Sequence, residues 1–214
     1  MGFSAKTRRA IFLASRSIYY YVTDRKQLAG QRLLSCIKRA AEWGVDFIQI
    51  REKDLTDREL YLLTTKTVAI ARKTGTGVIV NGRADVSLCA GAQGVHLPSA
   101  CLRPSDIRPW APDNFVIGVS VHSLSEAIRA ESEGADYVLL GPIFPTPAKA
   151  VYGSPLGLEE IRLACREVSL PVLGLGGIGS DAVEAVCEAG AAGVAGIRLF
   201  QRDLARLERP LGRR

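Results

Sequence analysis

Short apolar, β-branched runs recur along the 214-residue chain at Ile18–Val22, Asp46–Ile50, Gly77–Val80, Gly94–Leu97, Phe115–Val119, Tyr137–Leu140, Val172–Leu175 and Gly193–Ile197. Their length and composition predict strands. Between most of them, apolar residues recur at three- and four-residue spacing, as in Leu33, Leu34, Ile37, Ala40, Ala41 and in Val183, Val186, Cys187, a pattern that predicts amphipathic helices. Gly44, Gly134 and Gly190 stand between a helix and the next strand, where glycine relieves a left-handed turn. Alternating strand–helix units force a parallel sheet with right-handed crossovers. Eight of them predict an α/β fold, a single compact (β/α)₈ TIM barrel, in preference to an open doubly wound sheet. The proline-rich segment Pro98–Asp113 reads as a degenerate fourth helix. The barrel is expected over residues 18–207, with an N-terminal extension at 1–17 and a tail at 208–214.

Composition sharpens the class. With 47% hydrophobic and 23% charged residues the chain is that of a folded globular protein rather than a disordered one. No apolar run approaches the roughly 20 residues of a membrane span, and Ala10–Ala14 is too short for a signal-peptide core, so a cytoplasmic protein is expected. The five cysteines are odd in number and scattered, without a C-x-x-C pair, which points to reduced thiols rather than disulfides or a zinc cage. The net charge of +6 raises the question of a nucleic-acid partner. It sits at the ends: residues 1–17 carry four basic residues and no acid, and residues 198–214 six arginines against Asp203 and Glu208. Basic tails around a near-neutral barrel predict neither a nucleic-acid nor a membrane partner.

The candidate chemistry lies where strands end. Side chains alternate along a strand, so Gln49, Arg51 and Lys53 share one direction at the end of the second strand, and their cations suit a phosphate or carboxylate. The plainer alternative pairs those cations with Glu52 and Asp54. By the same parity Gly118, Ser120 and His122 share a face at the end of the fifth strand. An imidazole there suits proton transfer near neutral pH, with a hydrogen-bonded spacer as the alternative. His96, within an apolar run, reads as structural. The glycine-rich run Gly174–Ser180 and the turn Gly196-Ile197-Arg198 follow strands seven and eight, the usual phosphate site of such barrels. Their spacing is not that of a dinucleotide fingerprint. Gly141–Lys149 is too long and proline-rich for a minimal turn and reads as a shaped lid, with Lys149 placed to grip an anion.

Together these segments resemble the thiamine phosphate synthase and TenI superfamily. The resemblance rests on Tyr20-Tyr21-Val22-Thr23-Asp24-Arg25, Gln49-x-Arg51-Glu52-Lys53, Val80-Asn81, Gly94-Val95-His96-Leu97, Gly118-Val119-Ser120-Val121-His122-Ser123, Gly134-Ala135-Asp136-Tyr137, Gly141-Pro142-Ile143-Phe144-Pro145-Thr146 and Gly176-Gly177-Ile178. It implies an enzyme of thiamine biosynthesis with a small-molecule thiazole phosphate as partner; a homo-oligomer is compatible with it. Two activities share the scaffold. The synthase joins an aminopyrimidine methyl diphosphate to a thiazole phosphate; there Gln49, Arg51, Lys53, Asn81 and Lys149 would meet the diphosphate and pyrimidine, and two aspartates would hold Mg²⁺. Those two positions are Gly82 and Cys101 here, and the neighbour of the lid lysine is Ala148. Neither glycine nor a thiol offers the hard oxygen that Mg²⁺ prefers. The TenI branch aromatises a thiazole carboxylate phosphate without a metal, through a histidine at the His122 position. That tautomerase is the first expectation: phosphate on the N–H groups of Gly176, Gly177, Ile197 and Arg198, carboxylate on some of Arg51, Lys53 and Lys149, Ser120 and Thr146 completing the substrate site, His122 moving the proton, and no cofactor. The alternatives are a synthase that recruits Mg²⁺ differently, for instance through diphosphate oxygens, water and Asp106, and a non-catalytic regulator that binds a phosphate ester.

Overall fold

The computed structural model describes Arg8, Phe12 and residues 17–28, 30–99, 101–146 and 154–207. The N-terminal extension and the 208–214 tail therefore lie almost wholly outside the described residues, as does Lys149. Eight strands, β1 (Ile18–Val22), β2 (Phe47–Ile50), β3 (Gly77–Asn81), β4 (Gly94–Leu97), β5 (Val116–Val121), β6 (Tyr137–Leu140), β7 (Val172–Leu175) and β8 (Gly193–Gly196), follow one another in a closed parallel (β/α)₈ barrel. Among the described residues the helices are α1 (Leu33–Trp43), α2 (Asp57–Ala71), α3 (Ala84–Cys89), α4 (Pro104–Ile107), α5 (Leu124–Ser132), α6 (Gly157–Glu167), α7 (Val183–Glu188) and α8 (Arg198–Gln201). The fourth is a single turn, as its prolines predict, and no described helix is long and apolar enough to cross a membrane.

The chain divides into two compact units. One comprises residues 19–96 and 196–214. In it β2 pairs with β3 in the register Gln49↔Ile79 and Ile50↔Val80, and Cys36, Ile37, Ala40 and Ala41 form the buried stripe of α1. That helix ends at Gly44 with φ +109°, its N–H returning to Ala40 at 3.1 Å. Asp46 stands just before β2 rather than in it, because its carboxylate takes the Tyr19 N–H at 2.9 Å. The Gln201 amide donates to the Tyr21 hydroxyl and to the Asp24 carbonyl, both at 3.1 Å, fixing α8 against the end of β1. Burial pushes the Tyr21 hydroxyl well above its usual pKa.

The other unit comprises residues 1–18 and 97–195. Here β5 pairs with β6 in the register Gly118↔Tyr137 and Ser120↔Leu139. Gly118 has no side chain because the Tyr137 ring fills its place: a Cβ there would lie 2.0 Å from Tyr137 Cζ. The fully buried Tyr137 stacks on Phe12 at 4.5 Å between ring centres. Beside it the fully buried Asp136 accepts from the Ile117 N–H at 2.8 Å, from Arg8 Nε at 2.9 Å and from Arg108. A buried carboxylate needs such company. Gly134 and Gly190 adopt φ of +91° and +103°, as expected of glycines that close a helix.

Candidate functional site

In the first unit, Gln49 lies one residue before the end of β2, almost fully buried at 2% exposure, and its Nε2 donates to Asn81 Oδ1 at 2.9 Å at the end of β3. Its Oε1 is buried with no hydrogen-bond partner. Two residues on, Arg51 is half-buried and Lys53 exposed. The alternative pairing with Glu52 and Asp54 does not form. Glu52 is buried and accepts from the Arg25 backbone N–H at 3.1 Å and from its guanidinium at 3.0 Å. Asp54 takes Arg25 at 2.7 Å and Lys26 at 2.9 Å, and these contacts, Lys26 foremost, pull its carboxyl from the usual 3.8 down to about 2. With both acids engaged elsewhere, Arg51 and Lys53 make no ion pair among the described residues. Arg51 is held instead through its backbone, whose N–H donates to Thr23 Oγ1 at 3.0 Å. His96 is buried, as a structural histidine should be.

In the second unit, β5 runs two residues further than the apolar pattern suggests, so Ser120 lies inside the strand and His122 directly after it. His122 Nδ1 stands 3.2 Å from Glu126 Oε2, and the His122 backbone N–H donates to the same oxygen at 2.7 Å. Glu126 lies in the first turn of α5, which Ser123 caps. Sequence reasoning missed this residue, although Ser123 followed three positions later by Glu126 is a capping-box signature and the His122–Glu126 spacing is one helical turn. Glu126 also lines a cavity of about 210 Å³, together with Cys101, Arg103, Ser120 and Arg129 among others.

After β7 the chain folds onto the β6 loop: Leu175 and Gly176 carbonyls accept from the Ile143 and Phe144 N–H groups, each at 3.0 Å. Gly176 and Gly177 have φ of +96° and +71°, and a Cβ on Gly177 would lie 2.5 Å from the Phe144 carbonyl oxygen. Glycine is therefore required twice over, by dihedral and by space. Among the described residues the turn and loop hydrogen bonds leave the Gly177, Ile178 and Gly179 N–H groups without an acceptor. The helix that follows is shorter than the sequence suggests, a 3₁₀ turn at Ser180–Ala182 and then six residues of α7, so local N–H groups rather than a long helix dipole supply the positive potential. Thr146 is half-buried in the β6 loop. In the first unit, Ile197 is half-buried beside the single turn of α8, and Arg198 opens it exposed to solvent.

The donor set does not suit Mg²⁺. Gly82 offers only backbone, and its N–H is already given to the His96 carbonyl at 2.8 Å; Cys101 offers a soft thiol. The nearby carboxylates are taken by arginines. Arg83 binds Asp85 through two hydrogen bonds, at 2.9 and 2.7 Å, and Arg103 binds Asp106 in the same way at 3.2 and 3.0 Å. In each case the guanidinium holds the carboxyl below its ordinary pKa. Asp106 is thus engaged by Arg103, and no cluster of three acidic, histidine or cysteine residues capable of holding a metal occurs among the described residues.

Comparison with known proteins places the chain. The TMP-TENI family model, described as thiamine monophosphate synthase, matches residues 19–200. A thiamine-phosphate synthase of Desulfitobacterium hafniense is 39% identical over 186 residues, covering 86% of this chain and 90% of that protein. One from Roseiflexus is 37% identical over 184 residues, covering 86% of this chain and 78% of that protein. Thiamine phosphate pyrophosphorylase from Pyrococcus furiosus superposes with a TM-score of 0.79 at 31% identity, over 94% of this chain and all of that one. The names of these relatives favour the synthase alternative over the tautomerase that the missing carboxylates had put first. On the match to residues 19–200 and these identities, the chain belongs to the thiamine monophosphate synthase (TMP-TENI) family of enzymes.

Proposed function

We propose that the chain is a transferase that couples an aminopyrimidine methyl diphosphate to a thiazole phosphate. The observation that carries this reading is the buried, unpartnered Oε1 of Gln49. An unpaired buried carbonyl costs about 1–3 kcal/mol, which a substrate N–H removes. An aminopyrimidine carries an exocyclic amino donor beside a ring-nitrogen acceptor. Whichever way the Gln49 amide is turned, its free group finds a complement there while the other stays on Asn81. A tautomerase has no pyrimidine to recognise and no use for this pair. The names of the relatives support the same reading.

In this reaction the methylene–diphosphate bond breaks, a bond from the methylene to the thiazole forms, and diphosphate leaves as an anion. Arg51 and Lys53, free of ion pairs among the described residues, meet its charge. The N–H groups around Gly177 hold the thiazole phosphate and so fix the nucleophile's position. Without a fitting metal site, the stabilisation of the leaving group falls on these side chains.

The tautomerase remains the second reading, because Gly82 and Cys101 stand where metal carboxylates would be and because His122 is held by Glu126. The test offers purified protein two mixtures: the unaromatised thiazole carboxylate phosphate alone, and the aromatic thiazole phosphate with the pyrimidine diphosphate and Mg²⁺. Thiamine phosphate formed at an enzymatic rate in the second is the expected result. Aromatisation in the first with no coupling in the second overturns the proposal in favour of the tautomerase. Binding of either phosphate without turnover would leave a regulator.

A further inference from the structure

Glu126 does more than cap a helix. In an ordinary capping box the acidic residue at the third helical position reaches back to the N–H of the N-cap residue. The same chain provides one in α2, where the Thr56 N–H donates to Glu59 Oε2 at 2.9 Å and the Thr56 side chain accepts from the Glu59 N–H. Helix α5 has the same letters, with Ser123 accepting from the Glu126 N–H at 3.2 Å, yet the Glu126 carboxylate passes over Ser123 and ends on His122. There a single oxygen collects two donors, the backbone N–H at 2.7 Å and the imidazole Nδ1 at 3.2 Å. A carboxylate can only accept, so the contact with a neutral imidazole requires the ring proton on Nδ1. Nε2 then carries the lone pair, and it has no partner among the described residues. The ring is about one-third exposed, at 31%, so a ligand can reach it.

We propose that Glu126 is a positioning residue that fixes His122 in its Nδ1–H tautomer and so presents Nε2 as a proton acceptor. In a transfer, a substrate bond to hydrogen breaks, Nε2 takes the proton and the substrate keeps the electron pair. The imidazolium stays bonded through Nδ1–H to the carboxylate and returns the proton at a second substrate position, so nothing is consumed. Among the described residues the charged neighbours of this pair are Glu160 of α6, which accepts from the Leu124 N–H at 2.8 Å, and Arg103, Arg129 and Glu133, which line a cavity with Glu126. The use of Nε2 as a base bears on the tautomerase reading. The tautomer itself does not depend on either activity.

The experiment is ¹⁵N NMR of the labelled full chain at a pH where the imidazoles are neutral. Two histidines make assignment simple, with His122→Asn removing one spin system. The wild type is expected to show a protonated Nδ1 and an unprotonated Nε2 at His122. In Glu126→Ala the majority should switch to Nε2–H, the commoner form of an unconstrained imidazole. In Glu126→Gln the Nδ1–H form should persist, because two converging donors hold the amide oxygen in place. Should Glu126→Ala fail to fold, the wild-type and Glu126→Gln spectra still decide. A wild-type Nε2–H tautomer, or a tautomer unchanged in folded Glu126→Ala, overturns the proposal, because a cap alone would move stability and leave the tautomer as it was. Where aromatisation is found, kcat should drop roughly tenfold or more in Glu126→Ala with KM little changed, and stay within about threefold in Glu126→Gln. Absence of the Nδ1–H tautomer from the wild type refutes the positioning role; its presence there without aromatisation refutes only the base.

Discussion

Replacing Gly177 with alanine separates the two reasons for a glycine there. The first is conformational: φ of +71° costs an L-residue about 1–2 kcal/mol. The second is spatial. The new Cβ would stand 2.5 Å from the Phe144 carbonyl oxygen, whereas even a close C···O contact is roughly 3.3 Å, so one backbone must yield by about 0.8 Å. Phe144 cannot rotate away, since the obstacle is main chain. Moving it strains or breaks its hydrogen bond to the Gly176 carbonyl, worth about 1 kcal/mol. The sum is about 2–4 kcal/mol. For a domain of this size each kcal/mol lowers Tm by about 2–4 °C, so a fall of roughly 5–15 °C is expected. Gly157→Ala is the control: its φ is nearly the same, +72°, but its Cβ would meet nothing within 4 Å. That variant should show the conformational cost alone. Urea and thermal melts followed by circular dichroism measure both. The Gly177 variant should also raise KM for the phosphate-bearing substrate, because the shifted loop carries the N–H cradle with it, while Gly157→Ala should not. Equal destabilisation of the two variants would refute the steric argument, and an unchanged KM in Gly177→Ala would remove these N–H groups from the phosphate site.

Four further outcomes follow from the same packing and charge arguments. Gly118→Ala places a Cβ 2.0 Å from the buried Tyr137 ring and should cost about 3 kcal/mol in a urea melt, with partial rescue by Tyr137→Leu. Asp136→Ala leaves Arg8, Arg108 and the Ile117 N–H without their shared acceptor and should cost about 3–5 kcal/mol, read by the same melt. The Asp54 carboxyl should titrate near 2 by NMR and move back towards 3.8 in Lys26→Ala. Because its folded value is the lower one, its contribution is present above pH 3.8 and is lost as pH falls through 2. Gln49→Leu removes both amide groups and should raise KM for the pyrimidine diphosphate roughly tenfold or more, leaving KM for the thiazole phosphate near its wild-type value in initial-rate kinetics.

What the sequence announces is what depends on local spacing. Strand positions are legible because a short run such as Val172–Leu175 stays apolar on every residue, and the helix-closing glycines because a left-handed turn needs them. Partnerships across the chain are not. Nothing in the order of residues says that Glu52 belongs to Arg25, 27 positions away, rather than to its neighbours Arg51 and Lys53, nor that Asp136 gathers Arg8 and Arg108. These choices matter chemically because each occupied acid changes what remains free. Had Glu52 and Asp54 paired with their neighbours, no cation at the end of β2 would be available to an anion. Since Arg25 and Lys26 take those acids, Arg51 and Lys53 keep their charge for a ligand. The same reasoning runs the other way at Asp85 and Asp106, where Arg83 and Arg103 neutralise the carboxylates that a divalent cation would otherwise want. At the end of β2 the available charge is thus positive, suited to binding a phosphate ester directly. In the proposed coupling reaction this charge faces the diphosphate leaving group, so removing the charge of Arg51 or Lys53 should lower kcat, and by more than in a relative with two metal carboxylates.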